Sequence, residues 1–217
     1  MLPLSRRMKK EIHRKIASAQ DLILDEVYQH FPHAVLHGGT AIWRCHDGKR
    51  FSEDLDFYLP RDEKALEALF AALENKGFVV RKKRILTNSV YSELGYDRTT
   101  VRLEATFQSI KGHLAEYETA DGNVVMIYTL TPEEFLKEKI TTYRKRRKIR
   151  DLYDIFSLLP KIDDPAAVRE ELGLLIRDYA PPIDEQDLKT IILEGLTPTA
   201  EDMKEYIERK WRSTSRQ

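Results

Sequence analysis

Two aspartates, Asp54 and Asp56, stand two positions apart in the stretch Arg50-Phe51-Ser52-Glu53-Asp54-Leu55-Asp56-Phe57. On a strand, side chains at i and i+2 share one face. The pair would therefore offer hard carboxylate oxygens to Mg²⁺ or Mn²⁺. Such ions can hold the attacking and leaving oxygens of an in-line phosphoryl displacement. Upstream lies His37-Gly38-Gly39-Thr40-Ala41. A short strand entering Gly-Gly with a helix starting at once leaves backbone N–H groups aimed at one point, reinforced by the helix dipole. Glycines let a phosphate approach the backbone closely. Gly38, Gly39 and Thr40, the last with its hydroxyl, thus read as a cradle for a triphosphate. Arg50 and Ser52, just before the aspartates, would contact phosphate or brace the carboxylates. Taken singly, an Asp-x-Asp pair is usually a solvated loop or a helix cap, and a Gly-Gly pair usually just a turn. The conjunction carries the chemistry.

The elements that must position these residues follow from periodicity. Residues 5–30 place Ile12, Ile16, Ala19, Leu22, Ile23 and Val27 at helical spacing, and Pro32 ends that helix. Residues 34–36 read as a buried strand, 40–46 as the first turns of a helix, and Asp47-Gly48-Lys49 as a turn. A strand is expected over 55–59 and a helix over 62–75, with Gly77 beyond its end. Segments 78–86, 89–93, 99–109 and 124–128 are rich in Val, Ile, Thr and Tyr and read as strands. Every later segment reads helical: 132–148, 151–159, 165–179, 185–193 and 200–212. A boundary is therefore expected near Leu130, with a mixed α and β domain over 1–130 and a helical domain over 131–217.

The order of strand, Gly38-Gly39-Thr40-Ala41, short helix, Arg50-x-Ser52-x-Asp54-Leu55-Asp56-Phe57 resembles the nucleotidyltransferase fold. Within that fold it resembles the AbiEii/AbiGii toxin family of type IV toxin–antitoxin systems. The resemblance continues through Glu138-Lys139, Arg144 and Arg150-Asp151-Leu152-Tyr153-Asp154. It implies an α+β fold, a nucleotidyltransferase-like mixed sheet with flanking helices, followed by a helical C-terminal domain. It implies a metal-dependent transfer of a nucleotide from a nucleoside triphosphate to an acceptor hydroxyl, in RNA such as tRNA. It also implies a toxin with a cognate antitoxin. Lys139 would reach the phosphates and offset their charge. A third carboxylate is common in this fold on a later strand, and Glu104 in Val101-Arg102-Leu103-Glu104-Ala105 is the candidate. Alternation puts Arg102, Glu104 and Thr106 on one face there. Glu104 or Asp151 would help deprotonate the acceptor, or Asp151 would brace a basic residue. Plainer roles stand beside these: Asp151 as a helix cap, Asp154 as a partner for arginine, Glu104 on an exposed sheet face, and Tyr153 in the core.

Composition narrows the class. The 217 residues are 41% hydrophobic and 33% charged, with 36 basic and 36 acidic side chains. That balance hides segregation. Eight of the fourteen residues from Lys137 to Arg150 are basic, and Arg81-Lys82-Lys83-Arg84 is a second run. Such faces attract polyanions, though each is equally a solvated helix or strand face. Cys45 is the single cysteine, so an intrachain disulfide is excluded. It reads as a helix residue rather than a nucleophile, and Trp43 and Trp211 read as packing. No apolar run is long enough to span a bilayer, which points to a cytoplasmic protein with no membrane partner. A small-molecule or protein acceptor, and a non-catalytic nucleotide- or RNA-binding module, remain the alternatives.

Overall fold

Strict alternation organises the central strand. Asp54, Asp56 and Tyr58 are half-buried, while Leu55, Phe57 and Leu59 are almost fully enclosed. In the computed structural model, which describes residues 3–214, this strand is β2 (Asp54–Leu59). The chain divides into two units, Met1–Cys45 with Phe51–Thr129, and His46–Arg50 with Leu130–Gln217.

The first unit holds a mixed seven-stranded sheet. Its strands are β1 (Val35–His37), β2, β3 (Val79–Ile85), β4 (Ser89–Tyr96), β5 (Thr99–Phe107), β6 (His113–Glu118) and β7 (Val124–Thr129). Their spatial order is β3-β4-β5-β2-β1-β7-β6. β2 runs antiparallel to β1 and parallel to β5. Three registers fix the polar face: His37 pairs with Asp56, Asp54 with Arg102, and Asp56 with Glu104. β6 was not expected from sequence; His113-Leu-Ala-Glu-Tyr-Glu lacks β-branched residues, and its ladder with β7 supplies the order that propensity does not.

The helices of this unit are α1 (Leu4–Arg7), α2 (Glu11–His30), α3 (Gly38–Cys45) and α4 (Glu63–Asn75). The single helix expected over 5–30 is broken: Met8 is extended and buried at 1% exposure, between α1 and α2. α2 turns Ile16, Ala19, Ile23 and Val27 inward as the spacing predicts, but Ile12 is 44% exposed and Gln20 is buried in the stripe. α4 starts at Asp62, whose carboxylate accepts from Ala65 N–H at 3.0 Å.

The second unit is helical: α5 (Pro132–Arg146), α6 (Ile149–Leu158), α7 (Arg169–Arg177), α8 (Leu188–Ile191) and α9 (Ala200–Thr214). Thr131 and Glu134 close a capping box at the start of α5, with Pro132 in its first turn. Arg147 ends α5 in the left-handed region at φ 52°, so the helix expected over 132–148 stops short. Residues 165–168 form a 3₁₀ turn before α7. Among the described residues no helix is long and apolar enough to cross a membrane.

Leu55 sits between the two aspartates and is fully enclosed. Leu55→Ala should cost about 2–5 kcal/mol, read as a lower urea midpoint with an unchanged denaturant slope. A loss well under about 1 kcal/mol would show that the central strand does not depend on this anchor.

Candidate functional site

β1 passes into α3 without a loop. Gly38 and Gly39, expected as a turn before the helix, are its first two residues, and Gly38 has φ +73°. The reason for glycine is local. A side-chain carbon at Gly38 would stand 2.9 Å from Cγ of Asp56 and closer still to its Oδ2. The Asp56 carboxylate thus lies against the start of α3, where backbone N–H groups are unsatisfied by the helix itself.

Thr40 does not serve as expected. Its side chain is fully buried and its hydroxyl donates to the carbonyl of Asp54. Gln20 of α2 donates from Nε2 to the Ser52 carbonyl at 3.0 Å and to Thr40 Oγ1 at 3.4 Å. Thr40 therefore positions the first residue of β2, and its hydroxyl is not offered to phosphate. Ser52 enters this network through its backbone.

The face of β2 and β5 carries the carboxylates. Asp54 accepts two bonds from Arg102, at 2.6 Å from Nε and 2.7 Å from Nη2. Asp56 lies level with Glu104. Partial burial, then the charges of Asp56 and Asp54, push the Glu104 carboxyl above its ordinary range, against a smaller opposing pull from Arg102. His37 lies opposite Asp56 and stacks on Tyr58, ring centroids 3.9 Å apart.

This donor set suits a divalent cation in its chemistry: hard oxygens, i and i+2 on one strand, with a third carboxylate raised by their charge. As the side chains stand, no three His, Cys, Asp or Glu among the described residues converge to hold an ion, and Arg102 occupies both oxygens of Asp54. The donor chemistry of Asp54 and Asp56 suits a cation, while the present pairing commits Asp54 to Arg102.

The remaining expected residues form a separate cluster inside the helical unit. Arg50, 4% exposed, donates to Asp154 through Nε and Nη2, both at 2.6 Å. The guanidinium expected to contact phosphate is committed to this buried pair. Lys139 is also buried, 2.7 Å from Asp154 and 3.6 Å from Asp151. Asp151 lies in the first turn of α6, where Lys148 is the cap, so it is not the cap itself. It is fully buried and accepts two bonds from Arg146, both at 2.7 Å. Its oxygens are engaged by basic residues, the bracing role open to it from sequence beside that of a base. Burial alone would raise the Asp154 carboxyl, but the charges and hydrogen bonds of Arg50 and Lys139 prevail and hold it low. Tyr153 is buried, as the plainer reading had it. Burial pushes the Cys45 thiol up to about 12, which disfavours the thiolate a nucleophile needs.

The family of nucleotidyl transferase AbiEii toxins, of type IV toxin–antitoxin systems, matches residues 22–214. The chain belongs to this family. It is accordingly a nucleotidyltransferase, an enzyme that moves nucleotide groups, and its family implies a nucleoside triphosphate substrate. Solved structures agree on the fold. MenT4, a nucleotidyltransferase toxin of Mycobacterium tuberculosis H37Rv, is 19% identical with a TM-score of 0.64, over 90% of this chain and 81% of that one. JHP933 of Helicobacter pylori is 17% identical with a TM-score of 0.64, over 95% of each chain. No curated protein matches the chain.

Sequence reading of this AbiEii-family chain missed Arg102 and Arg146 as partners of the aspartates, and His37 beside Asp56. Alternation did place Arg102 on the face of Glu104. The signal it lacked was the parallel register of β2 with β5.

Two outcomes follow. Gly38→Ala meets both a left-handed backbone, costing roughly 1–2 kcal/mol, and the Asp56 carboxylate. Its nucleotide transfer should fall about a hundredfold through misplacement of Asp56, and wild-type turnover would refute the packing argument. Asp154→Asn leaves two buried cations short of a counter-charge and should cost about 3–5 kcal/mol at neutral pH. Because the folded carboxyl titrates below its ordinary 3.8, this contribution is complete above that value. It is lost as pH falls through the lowered folded value. The melts of the two proteins should therefore differ at neutral pH and converge at strongly acid pH, and a gap independent of pH would count against it.

Proposed function

We propose that the carboxylate face of β2 and β5 is where this enzyme transfers a nucleotide from a nucleoside triphosphate to an acceptor hydroxyl, the α–β phosphoanhydride bond breaking and pyrophosphate leaving. The observation that carries the reading is the seating of Asp56 against Gly38 at the start of α3, level with Glu104. Asp54 and Asp56 hold Mg²⁺ or Mn²⁺, which when bound neutralises charge on the transferring phosphate. Gly38 and Gly39 meet the triphosphate with backbone N–H groups, the helix dipole adding positive potential. Glu104, raised by burial and its two neighbours, accepts the proton of the acceptor hydroxyl. Lys139, Asp151, Arg50 and Asp154 brace the helical unit instead of touching substrate, since each is buried in ion pairs with the others or with Arg146.

The acceptor is RNA such as tRNA, and the protein acts in the cytoplasm as a toxin restrained by an antitoxin. Exposed Lys145 and Arg150 on the helical unit, and Lys83 and Arg84 on β3, support a polyanionic acceptor. A second reading, a small-molecule acceptor, draws on one observation. Much of the basic run pairs with the chain's own acids, Lys137 with Glu171, Arg144 with Asp178 and Lys148 with Asp184.

The experiment is incubation with each radiolabelled nucleoside triphosphate, Mg²⁺ and total tRNA, beside Asp56→Ala. Label should move to tRNA with the unmodified protein alone, and tRNA binding should weaken steeply between about 50 and 200 mM salt. Binding that ignores salt favours the small acceptor. A folded Asp56→Ala protein with full turnover ends the assignment of this face.

A further inference from the structure

Arg102 stands in the middle of a rank that crosses three strands. On one side it pairs with Asp54 of β2, and on the other the ladder sets it opposite Glu93 of β4. Neighbouring strands are close enough for one long side chain to reach either partner. The guanidinium now spends its fork on Asp54. Glu93 is meanwhile held by the Tyr91 hydroxyl at 2.5 Å and by Lys82 at 3.4 Å. It is also kept below its ordinary range by these groups, with a smaller pull from Arg102. Glu93 is therefore a second carboxylate on the far side of Arg102.

We propose that Arg102 is a two-position gate on the cation site of β2, held by Asp54 when the site lacks a cation and passed to Glu93 when a divalent ion takes Asp54. This rests on the reading of Asp54 and Asp56 as cation ligands. The step moves no proton and forms no covalent bond. Two N–H···O contacts to Asp54 are exchanged for contacts to Glu93, and the charge Asp54 loses from arginine is supplied by the ion. The side chain of Arg102 is 44% exposed and that of Asp54 19%, so water and a hydrated ion reach the pair from the arginine side and compete with it. In its closed position the arginine offsets part of the repulsion among three clustered carboxylates. In its open position it leaves Asp54 free.

The test is Mn²⁺ binding to the full chain, followed by the electron paramagnetic resonance of the free ion, with no turnover required. Arg102→Gln should bind Mn²⁺ roughly three- to tenfold more tightly than the native protein, about 0.7–1.4 kcal/mol. Arg102→Lys keeps the charge and loses the two-bond fork, so it should recover a large part of that gain. Glu93→Gln removes the second position and should weaken binding about two- to threefold, about 0.4–0.7 kcal/mol. Equal affinity for native and Arg102→Gln proteins overturns the gate. So does a native-like Arg102→Lys beside a tighter Arg102→Gln, which would mean charge alone is at work. An unchanged Glu93→Gln overturns it as well. These failures leave the proposed reaction standing, whereas no Mn²⁺ binding to any form would remove the cation reading and the gate with it.

Discussion

Two carboxylates on one face of a strand repel, and the first unit is arranged around containing that repulsion at β2. The opposite face of the strand is apolar without interruption, Leu55, Phe57 and Leu59 all being almost fully enclosed. Turning the strand over would expose these three and bury Asp54 and Asp56, so register is fixed by a cost far above the repulsion itself. Central placement between β1 and β5 then leaves the aspartates no backbone freedom with which to separate. What remains adjustable is side-chain company. Arg102 takes Asp54, and Asp56 has the space that a glycine at position 38 leaves open. The strain-tolerant residue at the start of α3 and the second carboxylate on β2 are thus one feature seen from two elements.

The helical unit handles charge in the opposite way. Asp154, Asp151, Lys139 and Arg50 are withdrawn from water, with side-chain exposures of 1%, 0%, 9% and 5%. Such a cluster survives only if its hydrogen bonds are nearly complete, since a buried charge with no partner costs several kcal/mol. The bidentate forks of Arg50 on Asp154 and of Arg146 on Asp151 supply that completeness. Arg50 belongs to the short segment His46–Arg50, which is part of this unit although it falls between two stretches of the other. Its ion pair, the Leu193 N–H bond to the Lys49 carbonyl at 2.9 Å and the bridge to Ile192 tie that segment to helices far along the chain. The arginine of the Arg-x-Ser motif and the second aspartate of the later motif are therefore linked by architecture.

How much was legible depended on how local the cause was. The alternation of β2 and β5, the helices α4 and α5 and the helical character after Thr129 arise from neighbours in sequence, and the spacing displays them. β6 was hidden because its order comes from β7 rather than from its own residues. The break at Met8 was hidden because burial of one side chain overrode a helical stretch. At the site, residue types announced the carboxylates, whereas their partners follow from pairing register, which no spacing within one strand reveals. Thr40 and Arg50 were given to phosphate for the same reason: a hydroxyl and a guanidinium look available until the structure shows which buried acceptors claim them.

Charge shows the same difference between sequence order and spatial company. The run from Lys137 to Arg150 is strongly basic along the chain, yet Glu171, Asp178, Asp184, Asp151 and Asp154 each pair with at least one of its members. Most of those acids come from segments twenty or more residues later. Cations already paired within the fold have fewer counterions to release when a polyanion arrives, and released counterions set the salt dependence of nucleic-acid affinity. The number of phosphates the helical unit could neutralise would therefore be governed by exposed members such as Lys145 and Arg150, not by the eight basic residues the run contains. A segment read as polyanion-binding from composition is, in three dimensions, in large part the mortar between helices.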